Sequence, residues 1–387
     1  MLYHYALNTL SQLYTQWAQL SHLCHIAATV PSALQSHYAA LATQAQTMTA
    51  DLWQRAIQVA SVIERLQQQT SPQGPNQQPV ILSLGSATLR DYGEPTTPED
   101  APVIVCIPSL INHPYILDIA AEHSLMRFLA QQGFHPYLIC WDHPTKAEEG
   151  FSINEYVTER VEPFMHAIYA RHQRPLFMLG HCLGGMIALA AACRNTFPSA
   201  GLVLMSVPWD FTPLRQRLAA LLPGWAEWAA LLATTANVTI PMVSQLLHYT
   251  FFWLNPAKLL DKLMPNAEPV HPLFEAVEYW LNDTLTVALP VFHQCMHHFM
   301  IENTVTKGLW HVGNTCIDHR KLTIPRLVLT AERDHIVPAT SSTPLLTASN
   351  VSHLHIDSGH LGMITSSRAP TTVWQPLCSW IKNHAAA

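Results

Sequence analysis

Apolar residues fall along this chain in two rhythms, one of short runs and one of helical stripes. From Val103 onward the runs recur: VIVCI from Val103, YLICW from Tyr137, LFML from Leu176, LVLMS from Leu202, RLVLT from Arg326 and HLHI from His353. Helix-length segments such as EHSLMRFLAQQG and INEYVTERVEPFMHAIYARH lie between the first four. That alternation predicts βαβ units, and with them an α/β fold built on a mostly parallel sheet with flanking helices.

The stripe pattern belongs to the beginning of the chain. Leu7, Leu10, Leu13, Tyr14, Trp17 and Leu20 have the spacing of one helix face, so residues 1–69 read as an N-terminal helical region. No Lys or Arg precedes Arg55. An apolar stripe with an uncharged polar face can dock on the chain's own main domain, on a partner helix, or on a hydrophobic surface such as a lipid or polymer body. TSPQGPNQQP, residues 70–79, is rich in Pro, Gly and Gln and reads as a linker. After Ser206 the strand rhythm stops until Arg326, a gap far beyond an ordinary connection and rich in Leu, Trp and Pro. The economical division is a core of residues 80–206 and 321–387 with an inserted helical cap at residues 207–320.

Candidate chemistry gathers at the strand ends. FMLGHCLGGMIALAAA, from Phe177 to Ala192, reads as a strand, a glycine-bracketed turn and a small-residue helix. On so sharp a strand-to-helix turn, side chains two residues either side of Cys182 would collide with the strand or helix, and Gly180 and Gly184 remove the collision. The helix N-terminus faces Cys182 and favours thiolate. The N–H of Leu183 is expected to form one half of an oxyanion hole. The other half should come from the loop after the Val103 strand, near Ser109 to Ile111 and centred on Leu110. An acid and a histidine should follow in that order, each just beyond a later strand. LVLTAERDHIVP supplies Asp334 and HLHIDSGHLG supplies His360. His360 would deprotonate Cys182, and Asp334 would fix the imidazole tautomer. Asp357, Glu332, His181 and His335 adjoin these motifs but miss the strand-end positions.

Composition narrows the remaining classes. Charged residues make up 12% of 387 residues, and 20 basic against 26 acidic side chains give −6 without a long like-charge block, which argues against a nucleic-acid partner. The 8 cysteines are scattered and lack CxxC pairs, which fits a reducing cytoplasm. No basic n-region or bilayer-length apolar run appears, so a soluble or peripheral chain is expected. The 23 histidines show no HExxH or paired Cys/His spacing, so no metal site is expected, and no Gly-rich dinucleotide or phosphate loop is present.

Taken together, PSLINHPYILDI (Pro108 to Ile119), GHCLGG, YWLNDT (Tyr279 to Thr284), ERDHIVP and SGHLGMITSSRA resemble segments of the polyhydroxyalkanoate synthases, particularly their short class III and IV catalytic subunits. The likeness runs from roughly Ala101 to the C-terminus, while the N-terminal hundred residues find no clear counterpart in the short class. GHCLGG alone is also similar to the cysteine elbow of dienelactone hydrolases, which are much shorter and lack the cap. The resemblance implies an α/β-hydrolase fold in which Cys182 carries the acyl group, Asp334 is the acid and His360 the general base. It further implies a 3-hydroxyacyl thioester of coenzyme A and a growing polyester chain as substrates, with no cofactor. A homodimer, a second synthase subunit and a polyester-granule surface in the cytoplasm are the partners and location it suggests. Trp280 and Asp283 match the family's cap residues and are expected to stabilise the fold.

A thiol suits such a reaction. Moving the acyl group from CoA to Cys182 exchanges one thioester for another, and later attack by a hydroxyl makes an oxygen ester and runs downhill. Exclusion of water would separate polymerase from hydrolase, with FFWLNPAKLL in the cap as the candidate lid. Arg127, Lys146, Lys258 and Lys307 are cations available for the CoA phosphates. Two other readings stay open: a cysteine-type hydrolase of esters, lactones or stored polyester, and a non-catalytic protein bound to granules through its N-terminal helix.

Overall fold

All six apolar runs become strands of one sheet. A computed structural model describes residues 78–221, 272–283 and 285–385. The N-terminal helical region, most of the linker and FFWLNPAKLL lie outside the described residues. In chain order the strands are β1 (Val80–Leu84), β2 (Ala87–Asp91), β3 (Val103–Ile107), β4 (His135–Cys140), β5 (Leu176–His181), β6 (Ser199–Met205), β7 (Arg326–Ala331) and β8 (Val351–Ile356). They pair in the order β1-β2-β4-β3-β5-β6-β7-β8. From β4 to β8 every pairing is parallel, whereas β2 runs antiparallel to both β1 and β4.

The hairpin β1–β2 was not among the predicted strands. VILSLGSATLRD is two short strands around the two-residue turn Gly85-Ser86, with Leu84 opposite Ala87 and Gly85 at φ 59. β1 is largely solvent-exposed. Its pattern therefore lacks the continuous apolar signal of the buried central strands, of which β3 and β5 are buried at every position.

Helices cover the sheet: α1 (Leu125–Gln131), α2 (Glu162–His172), α3 (Leu183–Arg194) and, at the end of the chain, α7 (Gln375–Ala385). α3 is buried along nearly its whole length, because Ala188, Ala190, Ala191 and Ala192 let it lie close against the strands. Between β6 and β7 come α4 (Thr212–Leu221), α5 (Pro272–Asn282) and α6 (Leu289–His293), the last continuing into a π-helical turn, Gln294–Ile301. Gln294 fastens that turn to the core. Its Oε1 accepts from the Ile153 N–H at 2.9 Å, and its Nε2 donates to Asn154 Oδ1 at 3.1 Å.

Strand order reverses on either side of β3, which places the carboxyl ends of β3 and β5 next to each other. Crevices outside the strand carboxyl ends at such a switch point are where open α/β sheets bind ligands. Cys182 stands immediately after β5, at that crevice.

Candidate active site

The turn between β5 and α3 is tight enough to force Cys182 to φ 54, ψ −126, a region that side chains rarely occupy. Two bonds hold it there: the Cys182 N–H donates to Met205 O at 2.9 Å, and the Gly185 N–H donates to Cys182 O at 2.9 Å. A Cβ on Gly184 would strike the carbonyl oxygens of Ile107 and Pro108, and one on Gly180 would strike the Gly185 backbone. The glycines thus serve close approach of the helix to β3 and β5.

Asp334 and His360 arrive from the loops after β7 and β8. His360 Nδ1 lies 2.7 Å from Asp334 Oδ2, and both side chains are buried. Asp334 Oδ2 also accepts from Ser206 Oγ at 2.8 Å, and its Oδ1 accepts from the N–H groups of Ile336 and Val337 at 2.8 and 2.7 Å. Burial alone would raise the Asp334 carboxyl, but the His360 charge and these donors outweigh it and hold the carboxyl below the usual carboxylate range. For His360, burial favours the neutral ring. The Asp334 carboxylate, and after it the nearby Cys182, reverse that and push it up to about 10. With Nδ1 held by Asp334, Nε2 is the nitrogen left for the thiol.

The other residues near the motifs separate from this cluster. Asp357 is a surface carboxylate paired with Arg333 at 3.0 Å, and Glu332 is exposed. His335 Nδ1 lies 3.0 Å from Arg217. His181 is buried with its ring 5.0 Å from that of His360, and burial, then the His360 charge, depresses it to about 3. Leu183 opens α3, so its N–H has no acceptor inside the helix. Leu110 buries its side chain in the core between Ser109 and Ile111, which line the cavity over Cys182; the Ile111 N–H donates to Ser109 Oγ at 3.3 Å.

That cavity is walled mainly by apolar side chains, among them Ile116, Phe211, Leu214, Phe299, Met300 and Val337. Asn112 also lines it, is 3% exposed, and has no partner for its Nδ2 among the described residues. Sequence reading missed Asn112 and Ser206. Ser206 ends a strand run as an ordinary polar residue, and only its φ of 46 and the approach of Asp334 give it a role.

Trp280 and Asp283 tie the cap to the loop after β3. Trp280 Nε1 donates to His113 O at 2.6 Å, and Tyr115 Oη donates to Asp283 Oδ2 at 2.8 Å. His113 Nε2 is 3.4 Å from Asp283 Oδ1. Burial opposes ionisation of Asp283, but His113 and Tyr115 hold its carboxyl low. Trp280 lines the cavity as well, so its stabilising contact also shapes the site. Of the candidate cations, Arg127 bonds Asp118 at 3.3 Å, Lys146 and Lys307 are exposed, and Lys258 lies outside the described residues.

An eight-stranded, mostly parallel sheet with a glycine-flanked cysteine turn after the fifth strand defines the class. The model of the alpha/beta hydrolase fold family matches residues 102–367, and the chain belongs to that family. Its sequence relatives narrow this further. It is 27% identical over 320 residues to the poly(3-hydroxyalkanoate) polymerase subunit PhaC of Thiocystis violacea, covering 79% of this chain and 88% of that one. The protein of the same name from Allochromatium vinosum is 28% identical over 316 residues, 78% of this chain and 87% of that one. The one from Haloferax mediterranei is 26% identical over 317 residues, and there the match spans 78% of this chain but 63% of the relative. Among solved structures, a hydrolase from Pseudomonas aeruginosa superposes with a TM-score of 0.50 at 16% identity, over 79% of this chain and 99% of that one, which shows the fold alone. Among the described residues no helix is long and apolar enough to cross a membrane.

Proposed function

We propose that this chain is an acyltransferase that polymerises (R)-3-hydroxyacyl-CoA into polyhydroxyalkanoate with release of CoA. The observation that carries the reading is a thiol on a strained elbow that lines one apolar cavity together with His360, itself paired with buried Asp334. The names of the sequence relatives point the same way.

In this reading His360 Nε2 takes the Cys182 proton and the thiolate attacks the thioester carbonyl. The negative oxygen is held by the Leu183 N–H and a donor of the Ser109–Ile111 loop, assigned to Leu110. The C–S bond to CoA breaks, and the leaving thiolate takes the proton from His360. The acyl group now rests on Cys182 as a thioester. The hydroxyl of a second hydroxyacyl unit gives its proton to His360 and attacks that thioester, forming the ester bond and returning the proton to Cys182. Asp334 holds the ring orientation and stabilises its cation in both halves. These steps close without a cofactor or metal, and the CoA thioester is substrate.

The described part of the insertion, through Phe211, Leu214, Trp280 and Phe299, serves as the cap that keeps water from the acyl-enzyme, with the sheet and its flanking helices as the catalytic core. The word subunit in the relatives' names supports a second synthase chain, and we assign the protein to a homodimer at the polyester-granule surface in the cytoplasm. The test is incubation with 3-hydroxybutyryl-CoA, with and without a co-expressed small subunit, following thiol release and insoluble polymer together. CoA release with matching polymer and an acyl group trapped on Cys182 is expected. Stoichiometric free hydroxy acid without polymer would favour a hydrolase and overturn the proposal.

A further inference from the structure

The π-helical turn Gln294–Ile301 has two unlike faces. Cys295, Phe299 and Met300 line the cavity over Cys182, and the opposite, half-buried face carries histidines. His293/His297 and His298/Glu302 are each four apart, a spacing one helix face allows, whereas the five-residue step from His297 to Glu302 does not share a column in an ordinary α-helix. Here the turn is widened to i→i+5, a geometry concentrated at functional sites. One nitrogen each from His297 and His298 and one oxygen from Glu302 lie within 4.8 Å of one another.

The separations approach those of a coordination sphere. Glu302 Oε2 is 2.8 Å from His298 Nδ1 and 3.7 Å from His297 Nδ1. Tetrahedral ligands at the zinc–nitrogen distance stand roughly 3.4 Å apart. His297 Nδ1 is buried and lacks a hydrogen-bond partner among the described residues. A buried ring nitrogen left without a partner is a cost that an ion would remove. His293 stacks on His297 with ring centroids 5.1 Å apart and meets His298 edge-on at 5.2 Å.

We infer that His297, His298 and Glu302 form a binding site for a divalent transition metal of the imidazole-seeking class, zinc foremost. Two nitrogens and one carboxylate suit zinc and disfavour calcium or magnesium, which demand oxygen shells. An ion there would pin the turn from outside while its other face shapes the cavity. The site is independent of the proposed polymerase reaction and is testable without it.

The test is calorimetric titration of zinc chloride into the full chain carrying Cys182→Ser, so that the elbow thiol does not capture the ion. One zinc per chain is expected, with affinity falling at least tenfold in His298→Gln and in Glu302→Gln, and with slower amide exchange across Gln294–Ile301 on loading. Calcium should leave both readouts unchanged. Superimposable zinc isotherms for the parent and for Glu302→Gln, a half-exposed position whose change leaves the core intact, would overturn the site. So would calcium binding as tightly as zinc.

Discussion

At the scale of single residues, the site rests on one buried carboxylate with an unusual number of donors. Asp334 receives Ser206, two backbone N–H groups and His360, so it is held ionised where burial would otherwise neutralise it. Replacing it by Asn keeps the shape but removes the charge and misdirects the imidazole. CoA release by Asp334→Asn should therefore fall on the order of 10³–10⁴-fold. Ser206→Ala removes one charge-assisted bond and should lower unfolding free energy by about 2 kcal/mol while costing far less activity, a split that denaturation and CoA-release assays would show. A Ser206→Ala variant as inactive as Asp334→Asn would contradict this division of labour. Cys182, Asp334 and His360 were legible in sequence because each follows a recognisable strand. Ser206 and Asn112 were not, because their significance lies in a partner 128 residues away and in a cavity wall respectively.

Elements carry the next layer. The central strands announced themselves because burial on both faces requires uninterrupted apolar runs, whereas the β1–β2 hairpin lies at the sheet edge, where one exposed strand needs no such run. The cap illustrates the converse. The break after Ser206 marked an insertion, but no periodicity said that α5 would reach the loop after β3 through Trp280 and Asp283. Trp280→Phe keeps the ring and loses the donor, leaving the His113 carbonyl unpaired. A destabilisation of about 1–2 kcal/mol in urea unfolding is expected, with a changed KM for the acyl-CoA because the same ring lines the cavity. An unchanged KM would restrict Trp280 to the stabilising role.

For the whole molecule, the histidines set the pH response in two opposing windows. His181 is depressed to about 3, and His172 and His319 to about 4, in each case chiefly by burial. Their unfolded values lie near 6.5, so the unfolded chain binds more protons as pH falls from about 6.5 toward 4, and stability declines. His360 acts in the other direction. Raised to about 10, it contributes fully below about 6.5, and that contribution is lost as pH climbs through about 10. Urea midpoints against pH should peak near neutrality, and His360→Gln should flatten only the alkaline side. Through local burial patterns and turn chemistry, the sequence by itself determined the α/β class, six strands, the cysteine turn and the chain order of Cys182, Asp334 and His360 at the strand ends. Only the tertiary structure decided that Ser206 joins Asp334, what walls the cavity, and that His297, His298 and Glu302 share one face. Those outcomes depend on distances between segments far apart in the chain, and on a widened helical turn, that no local periodicity encodes.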